Sequence, residues 1–344
     1  MLRKTRLIPT IALAGSLMAA AAACTTGGAA ASPASGTTSG KITIGFLQRQ
    51  LDAPYYKAME VDAQAYAKAH GFTVTFENAN SDAVTQLDQA SDLVGKGVNA
   101  LVVDAVDPNA EKTYLARIAK QVPVVFEDTG IDGVGVAAVT SNNYNNGLQA
   151  GKMTGQRLLA DGHKRGDPVT MLILNGGPTD AVVGPDRQAG FLAGLKAAGL
   201  GYKIEASTSA TYTEDQAVPA TRTMLAAHPD PDLILGLNDS MALGALTVLQ
   251  SVHDRTTLVA AASDGQKQAL ALMMPPPTGQ GCNSQYVATG LNSPSLATTG
   301  GLQIAYQVAT GKVKASSVKK AQYTESTGIN CQNVQKFYNA DSIF

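Results

Sequence analysis

From Lys41 onward, short β-rich runs alternate with amphipathic stretches of helical period, and this rhythm restricts the chain to parallel sheets covered by helices. Two rounds are present. In the first, residues 42–47, 72–77, 100–104, 123–127 and 135–139 read as strands and 54–69 and 82–95 as helices. Pro54 suits a first helical turn, Ser81 can cap the second helix, and Val84, Leu87 and Val94 share one face of it. In the second round, 169–174, 203–207, 233–237 and 258–262 are strands, and 185–198, 214–227, 240–251 and 266–273 are helices. A strand over 287–291 then precedes a last helix, 294–310, that ends at Gly311. The fold class is therefore α/β, with two Rossmann-like lobes on parallel sheets, and 344 residues suffice for both.

Composition removes several function classes. Basic and acidic residues number 26 and 27, so the totals carry no electrostatic footprint of a nucleic-acid binder. Three cysteines and the scattered His70, His163, His228 and His253 offer too few ligands at useful spacings for a zinc or iron–sulfur site, and neither metal nor cofactor is expected. No Gly-x-Ser-x-Gly elbow, Walker loop or His-Glu-x-x-His occurs. The acids around Glu127 and Asp128 leave a glycosidase pair as the catalytic arrangement to weigh against simple binding.

The first forty residues speak to compartment. Arg3, Lys4 and Arg6 precede an apolar stretch from Leu7 to Ala23, the pattern of a secretory signal over residues 1–23. Ala21-Ala22-Ala23 then meets Cys24, similar to a bacterial lipoprotein signal except that Ala21 stands where Leu is usual. Cys24 is thus the expected lipidated residue, cleavage without lipid being the alternative. Residues 25–40 hold only Thr, Gly, Ala, Ser and Pro, too little apolar surface to offset ordering entropy, so 24–40 read as a lipid-anchor tether. The expected location is the outer face of the cytoplasmic membrane, or the periplasm. Cys282 and Cys331 remain, and an oxidising compartment makes their pairing the natural expectation against two unpaired buried thiols. Such a bond would stabilise the fold by about 4 kcal/mol on the chain-entropy account.

The strand ends carry the chemistry. Asp52, Asp104, Asp128, Asn238 and Asp264 fall at or just after β-rich runs, and in open α/β sheets ligands bind outside the carboxyl ends of strands. Their short planar groups suit vicinal hydroxyls, although each residue is also a favoured helix cap. Tyr55 and Tyr56 at the start of the first helix, and Tyr212 after the 203–207 strand, can pack rings on the apolar faces of a sugar or, alternatively, pack within a lobe. Arg49, after the first strand, is a candidate donor, with a solvated or acid-paired arginine as the alternative.

From Lys41 to Tyr323 the chain resembles the ribose-binding-like substrate-binding proteins of bacterial ABC importers, the periplasmic binding proteins of type 1. The resemblance is carried by His228-Pro229-Asp230 through Leu237-Asn238-Asp239-Ser240-Met241-Ala242-Leu243-Gly244-Ala245, similar to the family's strand, ligand-binding Asn and following helix. Asp52-Ala53-Pro54-Tyr55-Tyr56 resembles the family's Asn-Pro-Phe-Phe segment, Glu127-Asp128 stands where a ligand-binding Asp belongs, Ser263-Asp264-Gly265 matches Phe-Asp-Gly, and Asn292 takes the usual Gln position. The resemblance implies three hinge crossings, near Asn142, Leu291 and Tyr323, with residues 41–142 plus 292–322 in the N-terminal lobe and 143–291 plus 323–344 in the C-terminal lobe. Both remaining cysteines then fall in one lobe, which agrees with a Cys282–Cys331 bond and with an insertion at 275–286. Pentose binders of the family carry two arginines where this chain has Thr129 and Pro185, which argues against plain ribose. Arg187, half a helical turn from Pro185, is expected at the surface or in interlobe pairing.

The function implied is capture of a small neutral polyhydroxylated ligand, a monosaccharide or sugar alcohol, by a monomer that delivers it to an ABC permease. The alternatives are an amino sugar, a nucleoside or a furanone signal as ligand, or a sensor subunit that presents its closed form to a membrane receptor.

Overall fold

The computed structural model describes residues 41–344; the signal segment, Cys24 and the tether lie outside the described residues. The first half runs β1 (Thr43–Gln48), α1 (Pro54–His70), β2 (Thr73–Asn78), α2 (Ala83–Gly95), β3 (Ala100–Val103), α3 (Pro108–Ile118), β4 (Val124–Glu127) and β5 (Ala137–Thr140). It continues through α4 (Asn143–Ala160), β6 (Val169–Asn175), α5 (Val183–Ala197), β7 (Tyr202–Ser209), α6 (Glu214–Ala227), β8 (Leu233–Gly236), α7 (Asp239–Ser251), β9 (Leu258–Ala261) and α8 (Lys267–Met273). The last elements are β10 (Thr289–Gly290), α9 (Pro294–Ala309), β11 (Ala321–Tyr323) and β12 (Gly328–Ile329).

The strands form a six-stranded sheet in the order β11-β5-β4-β3-β1-β2 and a four-stranded sheet in the order β7-β6-β8-β9, with β10 and β12 paired separately. Every pairing in the two larger sheets is parallel. Strands β3, β4 and β8, and β9 at the edge of the second sheet, are buried throughout, as sheets covered on both faces require. One face of the first sheet packs on Ala63 and Ala67 of α1 and Leu302 and Ala305 of α9; the other packs on Ala90 and Leu93 of α2 and Leu115 and Ile118 of α3.

Local signals set the helix ends. Pro54 opens α1, and Gly71, at φ 75°, closes it in the left-handed conformation that a Cβ disfavours. Asp82, rather than Ser81, caps α2, accepting from Thr85 N at 2.7 Å. Two helices were not expected. In α3, Asp107 accepts from the Asn109 and Ala110 amides while Glu111 accepts from Asp107 N, a reciprocal capping box. The other is α4, which buries Gly147, Gly151 and Gly155 in place of large apolar residues. The expected strand at 287–291 is a two-residue β10 flanked by single bridges at Tyr286 and Leu291.

Chain order and spatial order diverge at β1, which lies between β2 and β3, and at β6, which lies between β7 and β8. These are topological switch points, where the loops leaving adjacent strands part and open a crevice. Passages at 141–142, 291–293 and 324–327 join the lobes. They are stitched side by side: Ser141 Oγ donates to Asn292 Oδ1 at 2.5 Å and lies 3.0 Å from Thr324 Oγ1. Cys282 and Cys331 are disulfide-bonded, with Cα atoms 5.1 Å apart.

Candidate functional site

Loops from both switch points converge on one cavity between the lobes. The first lobe contributes Arg49, Ala53, Tyr55, Tyr56 and Asp128, the second Val183, Arg187, Tyr212, Asn238 and Asp264, and the second crossing Asn292. In this closed arrangement the cavity is small, about 20 Å³, room for roughly one water. Its polar groups are taken up by one another. The Tyr55 hydroxyl lies 3.1 Å from both Asp128 Oδ1 and Asn292 Oδ1, and its one proton serves either. Asn292 Nδ2 donates to Asp264 Oδ1 at 3.3 Å, so the crossing links a tyrosine of one lobe to a carboxylate of the other.

Arg187 is the centre of the second lobe's contribution. Its guanidinium meets Asp264 at 3.3 Å, donates to Asn143 Oδ1 at 3.0 Å and to the Leu237 carbonyl at 3.1 Å, and lies 5.8 Å from the centre of the Tyr212 ring. Arg49 reaches Thr129 Oγ1 at 3.3 Å and the Val106 carbonyl at 3.5 Å. Burial alone would lower both guanidinium pKa values, but the carboxylates beside them, Asp104 and Asp128 at Arg49 and Asp264 and Asp128 at Arg187, outweigh it and raise them. Both stay charged. Burial also lifts the Tyr55, Tyr56 and Tyr212 hydroxyls well above their usual range, so they remain neutral donors. For Asp264 burial raises the pKa while Arg187 and Asn292 oppose the rise.

Three lining residues sit at positive φ without being glycine: Asp128 at 51°, Tyr212 at 63° and Asp264 at 123°. Each such conformation costs about 1–3 kcal/mol and persists only where neighbours impose it. For Asp264 the constraint is visible. Asp239, at the start of α7, accepts from the Gly265 amide at 2.7 Å and the Gln266 amide at 2.5 Å, and Tyr286 donates to its other oxygen at 2.5 Å.

Not every expected residue reaches the cavity. Asp52 is exposed and absent from the lining, because Ala53 takes the N-cap position of α1 and carries the chain inward only afterwards. Asp104 is fully buried beneath the cavity rather than on it, with Oδ1 accepting from Thr129 N at 3.3 Å. Burial and neighbouring acids raise the pKa values of Asp104 and Glu127 well above the carboxylate range, with Arg49 opposing the rise at Asp104. Asn238 both lines the cavity and caps α7: Oδ1 accepts from Met241 N at 2.9 Å and Nδ2 donates to the Tyr212 carbonyl at 3.2 Å.

Arg187 corrects the expectation in the other direction. It is neither at the surface nor paired across the lobes; it is 3% exposed and bound wholly by second-lobe groups. The helix begins at Val183, two residues earlier than the sequence pattern indicates, and Gly147 lets α4 approach so closely that an added Cβ would lie 2.1 Å from the Arg187 carbonyl. Ala53 and Val183 were also missed, and a small and a branched aliphatic residue carry no chemical signal that marks them.

A larger groove of about 860 Å³ lies on the flank of the second lobe, lined by Pro178, Pro185, Ala189, Leu192, Ala193 and Tyr202 among others. It lacks residues from the first lobe, so it cannot couple ligand to lobe closure. The interlobe cavity is therefore the candidate site despite its smaller volume.

Comparison with known proteins agrees with this geometry. Residues 44–313 match the family model described as a periplasmic binding protein domain. The ribose import binding protein of Bacillus subtilis is 27% identical over 241 residues, which cover 70% of this chain and 75% of that one. An ABC transporter solute binding protein from Mycobacterium smegmatis, solved with bound glycerol, superposes with a TM-score of 0.78 at 28% identity, covering 89% of this chain and 99% of that one. A solute binding protein from Bacillus halodurans with bound myo-inositol gives 0.75 at 19% identity, covering 88% and 98%, and shows the shared fold.

Proposed function

The chain belongs to the periplasmic binding protein family, whose members carry solutes without altering them, and on that premise we propose that it captures a monosaccharide or sugar alcohol for an ABC importer. One observation carries the reading: acceptors Asp128, Asp264, Asn238 and Asn292, donors Arg49 and Arg187, and the rings of Tyr55, Tyr56 and Tyr212 converge from both lobes on one cavity. Hydroxyls both donate and accept, so a polyol can replace the pairings these groups now make with one another, while tyrosine rings cover its apolar faces. Two permanently charged arginines disfavour a cationic amino sugar. Because contacts come from both lobes, ligand binds the closed form better than the open one and shifts the population toward it.

Isothermal titration of the folded protein with D-ribose, D-allose, L-arabinose, myo-inositol, xylitol and glycerol tests the reading. At least one should bind at micromolar or tighter affinity, and a wholly silent panel would overturn it. We further propose that Cys24 is lipidated and holds a monomeric carrier at the membrane. Cys24→Ala should then move the protein from the membrane to the soluble fraction, and unchanged membrane retention would contradict the anchor.

A further inference from the structure

The chain beyond β12 returns to the cleft. Its root is fixed in the second lobe by the Cys331–Cys282 bond, by fully buried Val334, and by Phe337 and Tyr338 packed on that lobe's core. Lys267, the first residue of α8, holds the next stretch by donating to the Ala340 carbonyl at 3.4 Å and to the Ser342 carbonyl. The Phe344 amide donates to Ser342 Oγ at 3.1 Å. Its ring then meets Tyr55 of the first lobe edge-on, with centroids 5.4 Å apart and planes at 77°. Phe344 packs there against a first-lobe cluster of Ala53, Tyr55, Tyr56, Met59 and Ala297.

We propose that residues 339–344 form a non-covalent strap between the lobes, in which Phe344 is a positioning residue that seats Tyr55 in the closed cleft. The three crossings join the lobes covalently but leave their angle free; the strap adds a contact that exists only when the lobes approach. Its anchor at Lys267 lies three residues after Asp264, and its seat is the ring whose hydroxyl lies between Asp128 and Asn292. Closure, Tyr55 placement and strap docking are thereby one event. An edge-to-face aromatic pair of this kind changes a closing equilibrium by roughly 2- to 12-fold. The effect on affinity rests on the cleft being a polyol site; the effect on lobe angle does not.

The test is small-angle scattering of the sugar-free wild type, Phe344→Ala, Phe344→Leu and Lys267→Gln, with circular dichroism to confirm the fold. Phe344→Ala and Lys267→Gln should both give a larger radius of gyration than wild type, and Phe344→Leu, which keeps an apolar seat, an intermediate one. Any panel sugar that binds wild type should lose roughly 2- to 12-fold in affinity with Phe344→Ala, mainly through faster release. Folded Phe344→Ala and Lys267→Gln proteins with the wild-type radius would overturn the strap. A silent sugar panel with enlarged radii would instead leave the strap standing and defeat the polyol reading.

Discussion

Arg187 and Asp264 pair at 3.3 Å with each side chain only 4% exposed, so neither charge can fall back on water if its partner is removed. Arg187→Ala should therefore cost about 3–5 kcal/mol in urea unfolding, and adding Asp264→Asn to it should recover part of that loss. Additive losses in the double variant would refute the coupling. A second titratable group gives a pH signature. Burial pushes the Glu111 carboxyl up to about 7, against a much lower value in the unfolded chain, so the folded state binds the extra proton. The contribution of this group to stability should then be fully present below about 4.5 and fall as pH rises from about 4.5 through 7, by at most about 1.4 kcal/mol per unit. Glu111→Gln keeps the acceptor for Asp107 N and should flatten the slope measured by urea unfolding between pH 5 and 7; an unchanged slope would contradict it. At this scale the sequence is a fair guide for Asp128, which follows β4 directly, and for Asn238 and Asp264, two and three residues past β8 and β9, but not for Asp104, which follows β3 directly and yet lies beneath the cavity. It fails for Asp52, one residue too early on the loop, and for Arg187, whose long side chain reaches back to a strand end that spacing alone does not connect to it.

The helices show why part of the fold was not legible. Large apolar residues at helical spacing betray α1, α2 and α7, but α4 packs through Gly147, Gly151 and Gly155, with Thr154 bonded to the Ala150 carbonyl. Its hydrophobic pattern is thin because what it buries is backbone surface, against Phe191 and Arg187 of α5. An added Cβ on Gly151 would lie 2.1 Å from the Phe191 carbonyl oxygen, and helical backbone cannot yield as a flexible side chain can. Gly151→Ala should thus cost at least about 1–3 kcal/mol, read as a lowered thermal midpoint. Gly147→Ala, pressing on the Arg187 carbonyl, should lower sugar affinity as well as stability. Equal affinity in a folded Gly147→Ala protein would show that the α4–α5 spacing does not set the Arg187 position.

Across the whole molecule, the alternation of strands and helices shows the two-lobed class directly, whereas closure does not appear in any local pattern. The crossings themselves join three distant parts of the chain, where Ser141, Asn292 and Thr324 meet. The disulfide acts at this scale too. Replacing Cys282 and Cys331 with serine should cost about 2–4 kcal/mol in urea unfolding, through the freed unfolded chain. The most direct measurement of the central claim is a crystal structure grown with whichever panel sugar or polyol binds in calorimetry. That molecule should lie between the lobes, within hydrogen-bond distance of Asp128 or Arg49 on one side and of Asp264, Asn238 or Arg187 on the other. Density confined to the flank groove, or contacts from one lobe alone, would contradict it.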